Sequence, residues 1–188
     1  QQVYDNSERM IALANDLLNV SRIDQNHGIE KKESVDLVVV LQSAIQVMTP
    51  EAQKNSIQIN LVVKNKPISG IMAPPKHLHE AFGNLLSNGI KYNKKGGRID
   101  ITVSQDEKAV SVTIADTGIG IPKEDQSKIF SKFFRASNAV LKQTDGSGLG
   151  LSVVKSYLEE ANARISFQSQ ENKGSTFSIL FPFHPTDS

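Results

Sequence analysis

The sequence predicts an α+β fold: a two-layer α/β sandwich in which a mixed β-sheet carries helices on one face. Three observations lead there. Apolar residues alternate with polar ones in short runs, as at Ile57, Ile59, Leu61 and Val63, which marks half-buried strands. Segments opening at Asp36 and Pro74 instead space their apolar residues three and four apart, as a helix with one buried face does. Strand-like and helix-like segments do not alternate strictly, which favours a mixed sheet with helices gathered on one side.

Residues 1–27 are polar overall but carry Val3, Met10 and Leu17 seven apart, with Leu13 and Val20 between them. This stripe fits the seam of a helical bundle or the inner face of an ordinary amphipathic helix, and Asn6 on the stripe does not separate the two. Gln25-Asn26-His27-Gly28 ends the periodicity, with Gly28 as a helix stop, and Lys31-Lys32-Glu33 reads as solvated. The expected organisation is a helix over 1–27, a linker over 28–35 and the main domain over 36–188.

Asp36 suits the N-cap of a helix running to about Asn55, with Leu37, Leu41, Ile45 and Met48 inward and a kink or break at Pro50. Strands are expected over 56–63 and near 68–72. Pro74 and Pro75 fit the opening of a helix whose core face holds Leu78, Phe82, Leu85, Leu86 and Ile90. On that helix His77 and His79 read as surface positions. Gly96-Gly97 marks a turn into a strand over 99–104, and another strand over 109–115 leads into Asp116. From Pro122 to about Gly146 the chain is polar and irregular, long for a connection, which is the pattern of a lid or binding loop. A helix over 147–161 and strands over 163–169 and 175–181 complete the domain.

Composition narrows the function. With 22% charged residues and a net charge of +1, there is no electrostatic case for nucleic acid or an anionic membrane surface. The absence of cysteine excludes thiol catalysis, disulfides and cysteine-held zinc, and fits a cytoplasmic location. The longest apolar run, Leu37 to Leu41, is far too short to span a bilayer, and the N-terminus has no signal-peptide pattern.

Three segments carry chemistry. Asp116 ends a strand and is followed by Gly118 and Gly120. A carboxylate there can accept a hydrogen bond from an exocyclic amine such as that of adenine, and the glycines leave room for a ring beside the backbone. Taken alone, a strand-ending Asp in a tight turn explains it equally well. Asn84 and Asn88 share one helical face, with Lys91 and Tyr92 a turn further on. An amide oxygen suits magnesium and a lysine suits phosphate, whereas the plain reading is a polar face turned to solvent. Gly146-Ser147-Gly148-Leu149-Gly150 opens a helix, where freed backbone amides suit an anion; alone it would be a flexible loop. Neither the Walker pattern nor the dinucleotide fingerprint is present.

In this order and at these separations the segments resemble the boxes of the ATP-binding domain of sensor histidine kinases. Phe130 with Phe133-Phe134-Arg135 is similar to that family's phenylalanine box, and Gly174-Ser175-Thr176-Phe177 to its closing strand motif. The likeness covers roughly residues 30 to 182. It implies that Asp116 holds the adenine, with Gly118, Gly120 and Ile121 beside it and Thr176 supporting Asp116 from below. It implies Asn88 as the magnesium ligand and assigns catalytic roles to Asn84, Asn88 and Lys91, with Tyr92 lining the site. Gly146, Ser147, Gly148, Leu149 and Gly150 would meet the phosphates, and the lid would close with Arg135 or Lys142 in contact.

The same resemblance makes residues 8–24 similar to the second helix of the family's dimerisation domain. None of His27, His77, His79 and His184 is followed by the acidic residue and later proline of a phosphoacceptor. The implied activity is transfer of the gamma-phosphate of Mg-ATP to a histidine on the dimerisation domain, for relay to a response regulator receiver domain within a homodimeric parent. This chain alone is expected to bind nucleotide without autophosphorylating. Gyrase-like, chaperone-like and mismatch-repair ATPases share the fold but resemble one another in placing a glutamate where Asn84 stands, and an amide cannot serve as their general base. The alternative is a nucleotide-binding scaffold without kinase activity.

Overall fold

The computed structural model describes residues 30–64, 67–142 and 146–183. The helix expected over 1–27 lies outside them. In chain order the elements are β1 (Glu33–Val35), α1 (Leu37–Lys54), β2 (Gln58–Val63), β3 (Ile71–Ala73) and α2 (Pro75–Lys91). Then come β4 (Arg98–Gln105), β5 (Ala109–Asp116), α3 (Ser137–Lys142), α4 (Gly150–Glu160), β6 (Arg164–Gln170) and β7 (Gly174–Pro182). Five strands form one sheet in the order β2-β4-β5-β7-β6. The β2–β4 pair is parallel and the others are antiparallel, so the sheet is mixed as expected.

Strand alternation decides which face the helices cover. Ile99, Ile101 and Val103 of β4, Val110, Val112 and Ile114 of β5, and Phe177, Ile179 and Phe181 of β7 are buried. The intervening residues, Thr102, Thr113 and Ser178 among them, stand half-exposed on the other face. Leu78, Phe82, Leu86 and Ile90 of α2 are buried with them in one core, flanked by α1 and α4. Asp36 caps α1, its Oδ1 accepting from Val38 N at 2.8 Å and Val39 N at 3.4 Å. Pro74 and Pro75 open α2 at the cap and first helical positions.

Four expectations need correction. Glu33–Val35, placed in a solvated linker, pairs antiparallel with β3, Val35 lying opposite Ile71. Val35, the one apolar residue between Lys31 and Asp36, is buried there. The strand expected near 68–72 is therefore β3, and it lies outside the main sheet. Pro50 does not interrupt α1; Gln46, whose carbonyl it deprives of a donor, is exposed, so water can take that bond. His77 is no surface residue. Its ring lies flat on Tyr157 with centroids 4.1 Å apart, and its Nδ1 is 2.7 Å from Glu160 Oε2, tying the start of α2 to the end of α4.

Candidate functional site

Asp116 sits at the C-terminal end of β5, where the chain turns back on itself. Its Oδ1 accepts from Gly118 N at 2.8 Å and from Ser175 N at 3.3 Å. Both bonds described for the carboxylate fall on that oxygen, so Oδ2 is the one left to face a ligand. Burial pushes the carboxyl above its usual range, against the lowering effect of those two backbone N–H groups. Helix α2 lies directly over it: a Cβ on Gly89 would stand 2.9 Å from Ile99 Cδ1 and 3.8 Å from Asp116 Cβ.

The glycines of this loop are required by the chain's own packing. A Cβ on Gly118 would lie 2.5 Å from the Tyr92 carbonyl oxygen, and one on Gly120 would lie 2.0 Å from that of Gln170. Gly120 also has φ +64°, a conformation that favours glycine. Ile119 N donates to the Tyr92 carbonyl at 3.0 Å, which fastens the loop to the end of α2. Ile121 is half-buried against the core, its N–H donating to Ser169 Oγ at 2.8 Å.

Strand register moves one expected residue away. Ala115 pairs with Thr176, so Thr176 shares the face of Ala115, opposite to that of Asp116. Ser175 takes its place beside the carboxylate: it is buried, its N–H reaches Asp116, and its hydroxyl meets Ser169 Oγ at 2.9 Å. Residue type alone favoured neither; strand parity relative to Asp116 was the signal.

Asn84 and Asn88 are half-buried on α2, with Lys91 exposed and Tyr92 half-buried at its end. Asn84 Oδ1 would stand 3.4 Å from a Cβ on Gly150, so the asparagine face meets the first residue of α4. That helix begins at Gly150 and not at Ser147, because Gly146 and Gly148 have φ +152° and +72° and stay outside it. The N–H groups of its first turn have no acceptor within the helix, and its first residue lies beside Asn84. Leu149 is buried and anchors the loop from behind.

The phenylalanine segment supports this loop. A Cβ on Gly148 would lie 2.7 Å from the Phe133 carbonyl carbon, so the two backbones stand in contact. Phe130 and Phe134 pack against the core, Phe130 meeting Phe167 edge-on at 5.9 Å, while Phe133 is 62% exposed. The Arg135 guanidinium runs alongside Gly146 and donates to the Ala139 carbonyl at 3.4 Å. Asp125 accepts from Ser137 N and Oγ, both at 2.8 Å, and these bonds hold its carboxyl below the usual range. Asn138 Nδ2 donates to the Gly120 carbonyl at 3.0 Å. Lys142, expected at the phosphates, instead donates from Nζ to the Asn93 carbonyl at the end of α2.

Thus Asp116, Gly118, Gly120, Ile121 and Tyr92 come together on one side, and Asn84 with Gly150 on the other. The first are joined by the return of the chain to α2 and the second by the packing of α2 on α4. Sequence reasoning missed Asn93 and Ser175. Among the described residues, no group of three or more His, Cys, Asp or Glu is arranged to hold a metal ion. No described helix is long and apolar enough to cross a membrane.

Known proteins agree with this geometry. Residues 73–185 match the family model described as histidine kinase-, DNA gyrase B-, and HSP90-like ATPase. The circadian input-output histidine kinase CikA of Synechococcus elongatus is 29% identical over 181 residues, 96% of this chain and 24% of that protein. The sensor histidine kinase WalK of Bacillus subtilis is 31% identical over 181 residues, 94% of this chain and 29% of that protein. The chain therefore spans under a third of the length of either relative. Among solved structures, the catalytic domain of histidine kinase ThkA superposes with a TM-score of 0.69 at 25% identity, covering 81% of this chain and 95% of that one. Full-length ShkA in complex with AMPPNP gives a TM-score of 0.81 at 25% identity, covering 100% of this chain and 40% of that one. With the asparagine helix and both glycine loops in place, the chain belongs to the histidine kinase-, DNA gyrase B- and HSP90-like ATPase family, as a homologue of histidine-kinase catalytic domains.

Proposed function

We propose that this chain binds ATP with magnesium between α2 and the 137–142 helix and positions the gamma-phosphate for transfer to a histidine. The single observation that carries the reading is the half-buried Asp116 carboxylate, fixed through Oδ1 by two backbone N–H groups with Oδ2 left for an amine. Adenine would donate its exocyclic amine to Oδ2. The phosphates would extend toward the first-turn amides of α4, where positive dipole and unpaired N–H groups favour an anion. Lys91 would add a point charge from α2, and Gly146, Ser147 and Gly148 would flank the phosphates, with Arg135 near the same loop.

The donor set fits magnesium carried in by the nucleotide. A half-buried amide such as Asn88 gives one oxygen ligand, and phosphates and water supply the others in the octahedral set this ion prefers. When bound, the ion would neutralise phosphate charge. The protein's own part is positioning: Asn84 and Asn88 are held at one side, and the loop amides stabilise charge without reorganising. Asn84 has no basicity with which to activate water, which favours transfer to a supplied side chain over hydrolysis.

The acceptor histidine would belong to a dimerisation domain, of which residues 1–27 would supply the second helix, and the catalytic domain would open at β1, whose Val35 is already part of its core. A response regulator receiver domain would take the phosphoryl group next, in the cytoplasm, and the parent would be a homodimer. ThkA, in this fold at 21% identity, has been solved with the response regulator TrrA. Calorimetric titration of ADP with and without magnesium tests the reading. One-site binding tightened by magnesium is expected; no binding at millimolar nucleotide overturns it.

A further inference from the structure

Asn93 lies just beyond α2 and is 5% exposed. Its side chain uses its full hydrogen-bonding capacity. Nδ2 donates to the Gly89 carbonyl at 2.9 Å and to the Arg98 carbonyl at 3.1 Å. Oδ1 accepts from Thr117 Oγ1 at 3.0 Å and from Lys94 N at 3.0 Å. Thr117 Oγ1 in turn accepts from Arg98 N at 3.0 Å. Gly97 makes room for this network, since a Cβ there would lie 2.2 Å from Asn93 Oδ1.

Two of these partners bracket Asp116. Gly89 is the helix residue packed over its Cβ, and Thr117 is the residue that follows it in the loop. Asn93 therefore grips the chain on both sides of the carboxylate that would read the adenine. Its main-chain carbonyl is also where the Lys142 ammonium rests, at the C-terminal end of α2, where a helix favours a cation. The same short helix that carries Lys142 reaches the loop a second time, through Asn138 on the Gly120 carbonyl.

We infer that Asn93 is a positioning residue that couples the 137–142 helix to the Asp116 loop, so that docking of Lys142 preorganises adenine recognition. This assignment rests on the nucleotide-binding reading above. It separates Lys142 from a role as a phosphate contact, because a phosphate contact has no effect on a ligand without phosphates.

Adenosine and ADP titrations with Lys142→Met, Thr117→Val, Thr117→Ser and the Lys142→Met/Thr117→Val double variant test it, alongside melting curves to verify folding. Thr117→Val should weaken adenosine about three- to tenfold, the worth of one ordinary hydrogen bond, and Thr117→Ser should restore it. Lys142→Met should weaken adenosine by a similar factor, and the double variant should be little worse than either single one. If Lys142→Met weakens ADP but leaves adenosine unchanged or tighter, or if the two effects add fully, the coupling is overturned while nucleotide binding stands. If the unaltered chain binds neither ligand, both readings fall together.

Discussion

Replacing Asp116 by Asn should weaken adenine binding and stabilise the fold at the same time. Asparagine keeps an oxygen where Oδ1 accepts from Gly118 N and Ser175 N, so the loop geometry survives. It puts an NH2 where Oδ2 was, facing an amine that also donates. Losing a charge-assisted hydrogen bond costs about 1.5–3 kcal/mol, or roughly 10- to 150-fold in Kd. The stability change runs the other way. Burial raises the folded carboxyl above its unfolded value of about 3.9, so the folded state holds its proton more tightly. Stability from this group is complete below that unfolded value and is lost as pH rises through the folded one, which leaves the ionised carboxylate a liability at neutral pH. The amide has no charge to desolvate. Thermal melting at pH 7 and near pH 4, paired with ADP calorimetry at pH 7, gives both readouts. The variant should melt higher at pH 7, and its advantage should shrink near pH 4. A variant that binds ADP like the unaltered chain, or melts lower at pH 7, would refute the reasoning.

Two further outcomes are expected. Gly174→Ala should destabilise the domain by more than about 1–3 kcal/mol in urea titration and weaken ADP, because Gly174 has φ +104° and an added Cβ would lie 2.0 Å from the Asp116 carbonyl oxygen. Asp125→Ala should speed amide hydrogen exchange across 137–142 while leaving the global melting temperature nearly unchanged, since its bonds to Ser137 are exposed and local. With the carboxyl of Asp125 held low, that anchoring should persist in mildly acidic buffer and fade only as pH falls through the lowered value.

Most of the sheet and helices were legible because burial follows periodicity. Leu78, Phe82, Leu85, Leu86 and Ile90 were read inward from their spacing, and all are buried. The misread parts depend on contacts between distant segments. Val35 gains its burial by pairing with the strand that begins at Ile71, and no local pattern announces that pairing. His77 needs Tyr157 and Glu160, eighty or more residues away, to become a clamp. At the site, the motifs located Asp116, Asn84 and the glycine loops, but what each glycine touches emerged only from the fold. Thr176 was misplaced through parity: one residue along a strand exchanges the two faces of the sheet.

Two unfavourable local features stand at the candidate site. Asp116 is a carboxylate driven toward its neutral form by burial. Phe133, bulky and 62% exposed, has φ +63°, in the left-handed region that costs a non-glycine residue about 1–2 kcal/mol. The contact of its carbonyl carbon with Gly148 explains how the strain is held, since that glycine sits at +72° with no side chain to intervene. Neither feature contributes to the core, which is built from the opposite ends and faces of the same elements. A sequence under selection for stability alone would replace both at little cost to packing. Their position, beside the asparagine helix and at the two glycine loops, is the one the proposed nucleotide site requires.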